Sequence, residues 1–189
     1  MNKKILLSLV FIAILGITAC LVFFPKNTPE EPRDNVRKTN PVAFDPQNST
    51  FVINGQTVTL YNGEAKTQLI LDSNIKTVTK YFGNEAVGDL NNDGEDDIAF
   101  IVTQDDGGSG TFFYAVVAIK TLIGYKTTNA FPIGDRIAPQ ANQINSSAQE
   151  LYVNFAERKP GEPMSAQPSV GATLYLKVTP DGVLEGLMK

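Results

Sequence analysis

Residues 111–119 read TFFYAVVAI, a run with hardly a polar side chain and rich in β-branched and aromatic types. Such residues favour extended backbone, and a strand with one wet face would alternate apolar with polar. The run is therefore expected to form a central strand covered on both faces. That demand shapes the rest of the chain, which must supply layers for each side.

The neighbouring segments read the same way. Residues 50–61 form an expected hairpin, with Asn54 and Gly55 supplying the positive φ angles of a tight turn. Residues 67–71 and 77–82 follow as strands, and 98–103 faces 111–120 across the turn DDGGSG at 105–110. Residues 124–131, 142–145, 150–156 and 172–179 continue the meander, and Pro180, Asp181 and Gly182 make its last turn. No long 3.6-residue periodicity follows residue 25, although 133–143 has room for a short helical turn. The expected class is all-β: a mostly antiparallel meander, sandwich or partial propeller-like sheet, preceded by an N-terminal hydrophobic helix.

Between the strands 77–82 and 98–103 lies DLNNDGEDD, residues 89–97, in which five of nine residues are acids. Asp89, Asn91 and Asp93 alternate, so their side-chain oxygens are able to converge on one point. Gly94 follows where the chain turns and a Cβ would obstruct it. Glu95 offers a main-chain carbonyl and Asp97 a closing carboxylate. With no His or Cys nearby, this donor set suits Ca²⁺ rather than zinc or copper. Packing so many carboxylates without a counter-ion would raise their pKa values, whereas a plain turn needs only two or three such residues. An EF-hand is excluded, because its twelfth position here is Phe100 and the following flank, 98–103, reads as a strand.

Residues 81–100 as a whole resemble an FG-GAP repeat, the blade motif of integrin α-chain propellers, and the related VCBS-type repeats of bacterial surface proteins. Phe82 and Gly83 match the FG pair, and residues 89–97 match the calcium loop D-x-[DN]-x-D-G-x-x-D. The resemblance implies a strand–loop–strand Ca²⁺ site whose ligands are Asp89, Asn91, Asp93, Glu95 through its main chain, and Asp97. The Gly-Ala-Pro tripeptide of that family is absent and the loop occurs once, so a full propeller of four to eight blades is excluded by length.

The ends of the chain speak to location. Lys3 and Lys4 precede residues 5–24, twenty residues without a charge, long enough for a helix to cross a bilayer. The lysines are expected to stay in the cytoplasm, which sends the bulk of the chain to the other side. Two outcomes are open for residues 1–24. Ile17, Thr18, Ala19 and Cys20 resemble a bacterial lipobox, which implies cleavage and lipidation at Cys20. The apolar run through Leu21, Val22, Phe23 and Phe24 fits an uncleaved signal anchor. Residues 25–42 hold four prolines and seven charges and read as an extended tether. Residues 43–189 remain as one extracytoplasmic β domain.

Composition removes several function classes. Residues 43–189 carry 17 acids and 10 bases, a net charge of about −7, so a nucleic-acid partner is not expected. Cys20 is the sole cysteine and there is no histidine, so nucleophile–histidine pairs, histidine zinc sites and intramolecular disulfides are impossible. Asp105, Asp106, Asp135, Glu157 and Glu162 read as solvated loop acids. The glycine-rich turn 105–110 lacks the lysine and helix of a phosphate loop. Residues 157–171 form a long, proline-stiffened loop, and Arg158, Lys159 and Met164 would lead any contact it makes. The expectation is a membrane-tethered, calcium-binding, non-catalytic binding or adhesion module of a bacterial-type cell envelope, touching an envelope protein or glycan. The alternatives are a carboxylate-based polysaccharide hydrolase of the envelope and a purely scaffolding lipoprotein.

Overall fold

A computed structural model describes residues 43–68 and 76–188. The expected N-terminal helix and Cys20 (1–24), the tether (25–42) and most of the expected strand 67–71 lie outside those residues. Among the described residues the fold is all-β, with every strand pair antiparallel, and its one short helical turn is the 3-10 turn Pro46–Asn48. Asp45 caps that turn by accepting from the Gln47 N–H at 2.9 Å.

Strands β1 (Thr50–Ile53) and β2 (Gln56–Thr59) form a hairpin. Its turn residues Asn54 and Gly55 sit at φ 50° and 78°, the left-handed region that Asn-Gly enters at little cost. A central sheet follows, in the order β3 (Glu64–Thr67), β4 (Thr77–Gly88), β5 (Asp97–Asp105), β6 (Phe112–Thr121) and β7 (Gly124–Thr127). Strand β8 (Phe131–Asp135) also pairs with β6. The third sheet orders β10 (Gln143–Asn145), β11 (Glu150–Glu157), β12 (Val170–Val178) and β13 (Leu184–Gly186), with β9 (Ala138–Pro139) on β11.

The central sheet is covered on both faces. Residues 113–118 of β6 are all buried, so nothing on that stretch meets water until Ile119. Alternate residues serve different neighbours, because successive side chains of a strand point to opposite faces. Phe100 and Val102 of β5, with Tyr114, Val116 and Ala118 of β6, pack against Phe51, Ile53, Val58 and Leu60 of the hairpin. Ala99 and Ile101, with Phe113, Ala115 and Val117, pack against Leu151, Val153, Leu176 and Leu184 of the third sheet. Three layers result, held by two separate apolar cores.

The layers are also stitched by polar groups. Asn129, just after β7, donates its amide to the Leu184 carbonyl and accepts the Leu184 N–H at 2.8 Å, a bond pair that imitates a β-bridge to the third sheet. The Ala130 N–H next to it donates to the Val52 carbonyl of the hairpin. Thr128, buried, both donates its N–H to the Val117 carbonyl and receives the Val117 N–H on its hydroxyl.

Strand β3, at Glu64–Thr67, pairs with β4 and meets the expected strand 67–71 at Thr67. One expectation is corrected here: the short helical turn allowed for within 133–143 does not form. Arg136 takes φ 49°, and β9 finds its hydrogen-bond partners on β11, while Ile133 and Ile137 pack against the second core. Sheet bonds and apolar burial together outweigh a local helical preference.

Phe100 has no exposure and its ring meets those of Phe44, Phe51 and Tyr81 at centroid distances of 6.1, 6.3 and 6.3 Å. Phe100→Ala is expected to lower the unfolding free energy by about 3–5 kcal/mol, read by urea denaturation, and Phe100→Leu by clearly less.

Candidate metal centre

Strands β4 and β5 are joined by residues 89–96, and the connection is built by its own side chains. The Asp89 carboxylate gathers four backbone donors: Oδ1 accepts from Asn91, Asn92 and Asp93, and Oδ2 accepts from Gly94 at 2.9 Å. Carboxylates accept readily from N–H groups two or more residues ahead, which is why Asp favours such turns. Asn92 and Gly94 must then enter the left-handed region, at φ 61° and 85°. The Gly94 N–H does most to hold the Asp89 carboxyl below the usual carboxylate range, and the N–H groups of Asn92, Asp93 and Asn91 add to it against partial burial.

Asn91 and Asp93 are bound to each other. The Asp93 N–H donates to Asn91 Oδ1 at 3.1 Å, and the Asn91 amide donates to Asp93 Oδ2 at 2.9 Å. The Glu95 N–H donates to Asp93 Oδ1 at 2.9 Å. The side chains of Glu95 and Asp96 are exposed.

Asp97 behaves differently from the other acids. It is fully buried, and its two oxygens accept from the N–H groups of Leu90 and Lys120, each at 2.9 Å. It thereby ties the beginning of the loop to its end and both to β6. Burial pushes its carboxyl above the usual range; the two N–H donors oppose that, and the charges of Asp93 and Asp89 add to it. The sequence reading cast Asp97 only as a closing ligand and missed this clasp. Asp97 shares parity with Ala99 and Ile101, so it lies on the face of β5 that the third sheet covers.

Asp89, Asn91, Asp93 and Asp97 are thus brought close together, and Glu95 contributes its backbone to the same turn. The donor chemistry fits a hard cation. In this arrangement, however, every one of these side chains holds a backbone or amide proton, and among the described residues no group of three or more His, Cys, Asp or Glu side chains is placed to hold a metal ion. Asp89 Oδ1 is taken up by three N–H groups, but Asp89 Oδ2 and the oxygens of Asp93 and Asp97 each accept one proton and keep a second lone pair, so a cation bound through those oxygens is compatible with the hydrogen bonds. None of the ion pairs among the described residues reaches the loop: they join Glu64 to Lys66 and Lys80, and Asp135 to Arg136.

The remaining candidates have local jobs. Asp105 and Asp106 accept from the N–H groups of Gly107 and Gly108, at the far end of β5 from the acidic loop. Asp135 accepts from the Thr111 N–H and pairs with Arg136. Glu162 accepts from the Lys159 N–H. Arg158 spends its guanidinium internally, on the carbonyls of Ala166 and Arg136 at 2.6 and 2.8 Å, so it closes the proline loop upon the fold. Lys159 and Met164 are exposed. In the FG pair, Phe82 is half-exposed with its ring edge-on to Phe113, and Gly83 sits at φ 108° within a β-bulge of β4. Tyr81 donates its phenol to Glu85, and burial, with that bond, pushes its pKa up to about 12.

Comparison of the chain with protein-family models, with curated proteins and with solved structures returns no match. The functional reading therefore stands on the loop and its surroundings.

Two outcomes are expected at this site. Asp97→Ala leaves the N–H groups of Leu90 and Lys120 without their acceptor and should destabilise the fold by about 2–4 kcal/mol, measured by chemical denaturation. Asp89 is held below its ordinary range when folded, so its contribution is complete above that range and is lost as pH falls through the folded value. The acid limb of a stability–pH curve, below about pH 4, should flatten in Asp89→Asn.

Proposed function

We propose that residues 89–97 hold one Ca²⁺ ion, and that the domain carrying them is a non-catalytic binding module held on the outer side of a cell membrane. The observation that supports the ion is electrostatic. A buried carboxylate, Asp97, feels the charges of Asp93 and Asp89, and no lysine or arginine is paired with any of them among the described residues. A divalent cation among those oxygens would remove that repulsion. Asp89, Asn91, Asp93 and Asp97 would bind through side-chain oxygens and Glu95 through its carbonyl, in keeping with the resemblance to FG-GAP and VCBS-type loops. The ion would act as a structural strut; millimolar extracytoplasmic calcium keeps even a weak site filled.

The location rests on the uncharged residues 5–24 behind Lys3 and Lys4, with Cys20 as the lipidation position if the segment is cleaved. The module reading rests on the absence of histidine from the chain and on the local duties of Asp105, Asp106, Asp135 and Glu162. An envelope protein or glycan is the proposed class of partner.

Millimolar Ca²⁺ is expected to raise the unfolding free energy of the full chain by about 1–3 kcal/mol, and EDTA to abolish the gain. Asp93→Asn should lose most of that increment. Calorimetry without heat, together with an unchanged melting temperature, would remove the ion from the proposal.

A further inference from the structure

The hairpin connecting β6 to β7 places Leu122 and Ile123 at its apex, with relative exposures of 106% and 100%. Two-residue turns ordinarily use Asn, Asp or Gly, which tolerate the backbone and welcome water. Here the turn carries two of the largest aliphatic side chains, and neither touches the rest of the fold enough to lose exposure. The backbone beneath them is satisfied from within: Thr121 pairs with Gly124 in register, and the Thr121 hydroxyl donates to the Gly124 carbonyl at 3.0 Å. Such a tip is able to enter an apolar medium without leaving its turn's closing groups unpaired.

Directly behind the apex stands a collar of cationic and aromatic groups. Lys120 is paired in register with Tyr125 and its ammonium lies 4.6 Å from the Tyr125 ring centre; Ile119 is paired with Lys126, which is exposed. The apex extends roughly 7 Å beyond the Lys120–Tyr125 pair. Aliphatic residues at the tip with lysine and tyrosine one step behind form the profile of a segment seated at a bilayer interface, where the rings and ammonium groups meet the headgroups. The charge at the collar complements anionic phosphates. The acidic loop lies at the same end of the sheet, since Asp97 accepts from the Lys120 N–H, and a groove of about 200 Å³ lined by Asn91, Thr121, Lys126 and Pro180 joins the two.

We propose that the β6–β7 tip docks into the phospholipid interface of the membrane to which the chain is attached, inserting Leu122 and Ile123 with Lys120, Tyr125 and Lys126 at headgroup level. The proposal rests on the membrane attachment inferred above for residues 1–24. An unattached tip of two side chains binds weakly, whereas attachment through residues 1–24, with 25–42 as the expected tether, would hold it at high effective concentration over the surface. The domain's net negative charge limits how closely the remaining surface approaches, which favours contact through a protruding point.

The chain contains no tryptophan, so Ile123→Trp introduces a unique fluorophore at the apex, and Tyr61→Trp, at a position 73% exposed on the loop after β2, provides a control. The full-length variants are reconstituted with vesicles of zwitterionic and anionic phospholipid, with Ca²⁺ and with chelator, and flotation is scored in each case. Flotation with blue-shifted emission from the Ile123→Trp variant, quenched by brominated lipid in any of these conditions, supports the proposal, provided the Tyr61→Trp variant keeps a water-like spectrum. Adding Leu122→Asp to the apex variant should then restore water-like emission. Flotation with an unquenched apex fluorophore throughout overturns the docking but leaves the attachment standing. Failure to float overturns both. A blue shift without lipid quenching assigns the tip to a protein surface, such as a second copy, and also overturns the proposal.

Discussion

Two-sided burial of β5 and β6 is the constraint on which the molecule depends. A strand covered on one face needs one partner layer, and these need two. The β1–β2 hairpin supplies one and the third sheet the other, each filling a separate apolar core. The polar clasps make sense only within that arrangement. Asn129 reaches the third sheet at Leu184 while its neighbour Ala130 bonds the hairpin at Val52, so one short stretch after β7 ties three layers together. Asp97 belongs to the same logic. It stands in phase with Ala99 and Ile101, on the face covered by the third sheet, and a carboxylate there has to find donors, because an unsatisfied buried charge would cost several kcal/mol. Leu90 and Lys120 provide them.

Much of this was legible in the sequence. The apolar run of β6 announced a central strand, Asn54 and Gly55 announced a hairpin, and Pro180 to Gly182 announced the last turn, because each signal is local: a side-chain period or a turn residue acting on its own backbone. What was not legible depended on partners distant in the chain. The pairing of β9 with β11 suppressed a helical turn near Arg136, and the position of β3 was fixed by its register with β4. Arg158 shows the same limit. Charge and a long, proline-stiffened loop suggested an outward contact, but the carbonyls of Ala166 and Arg136 lie within reach only after folding.

In the acidic loop, the residues that suggested a cation also make the turn. Asp89 gathers its four N–H groups from the very backbone that a ligand loop would wrap, so the pattern of Asp, Asn and Gly proposed to hold a cation is also the one that makes the turn. Sequence singled out the residues that build this turn, yet not the buried role of Asp97, which follows from its place on the strand rather than its chemistry. The exposed pair at 122–123 escaped notice for the opposite reason. They fall between the expected strands 111–120 and 124–131, but only the register between Thr121 and Gly124 shows a two-residue turn whose apex both side chains occupy clear of the fold.

The division of β5 between two cores has a bearing on how such a chain can vary. Removing or adding a single residue inside β5 would exchange the neighbours of every position beyond it, sending side chains as large as Phe100 toward a space lined for alanine and the reverse. Length changes would therefore survive only where strands reverse direction, such as the glycine-rich bend after Asp105 or the proline loop after Glu157. Lineages of this fold should differ in the reach of those ends while the frame between them keeps a constant count of residues.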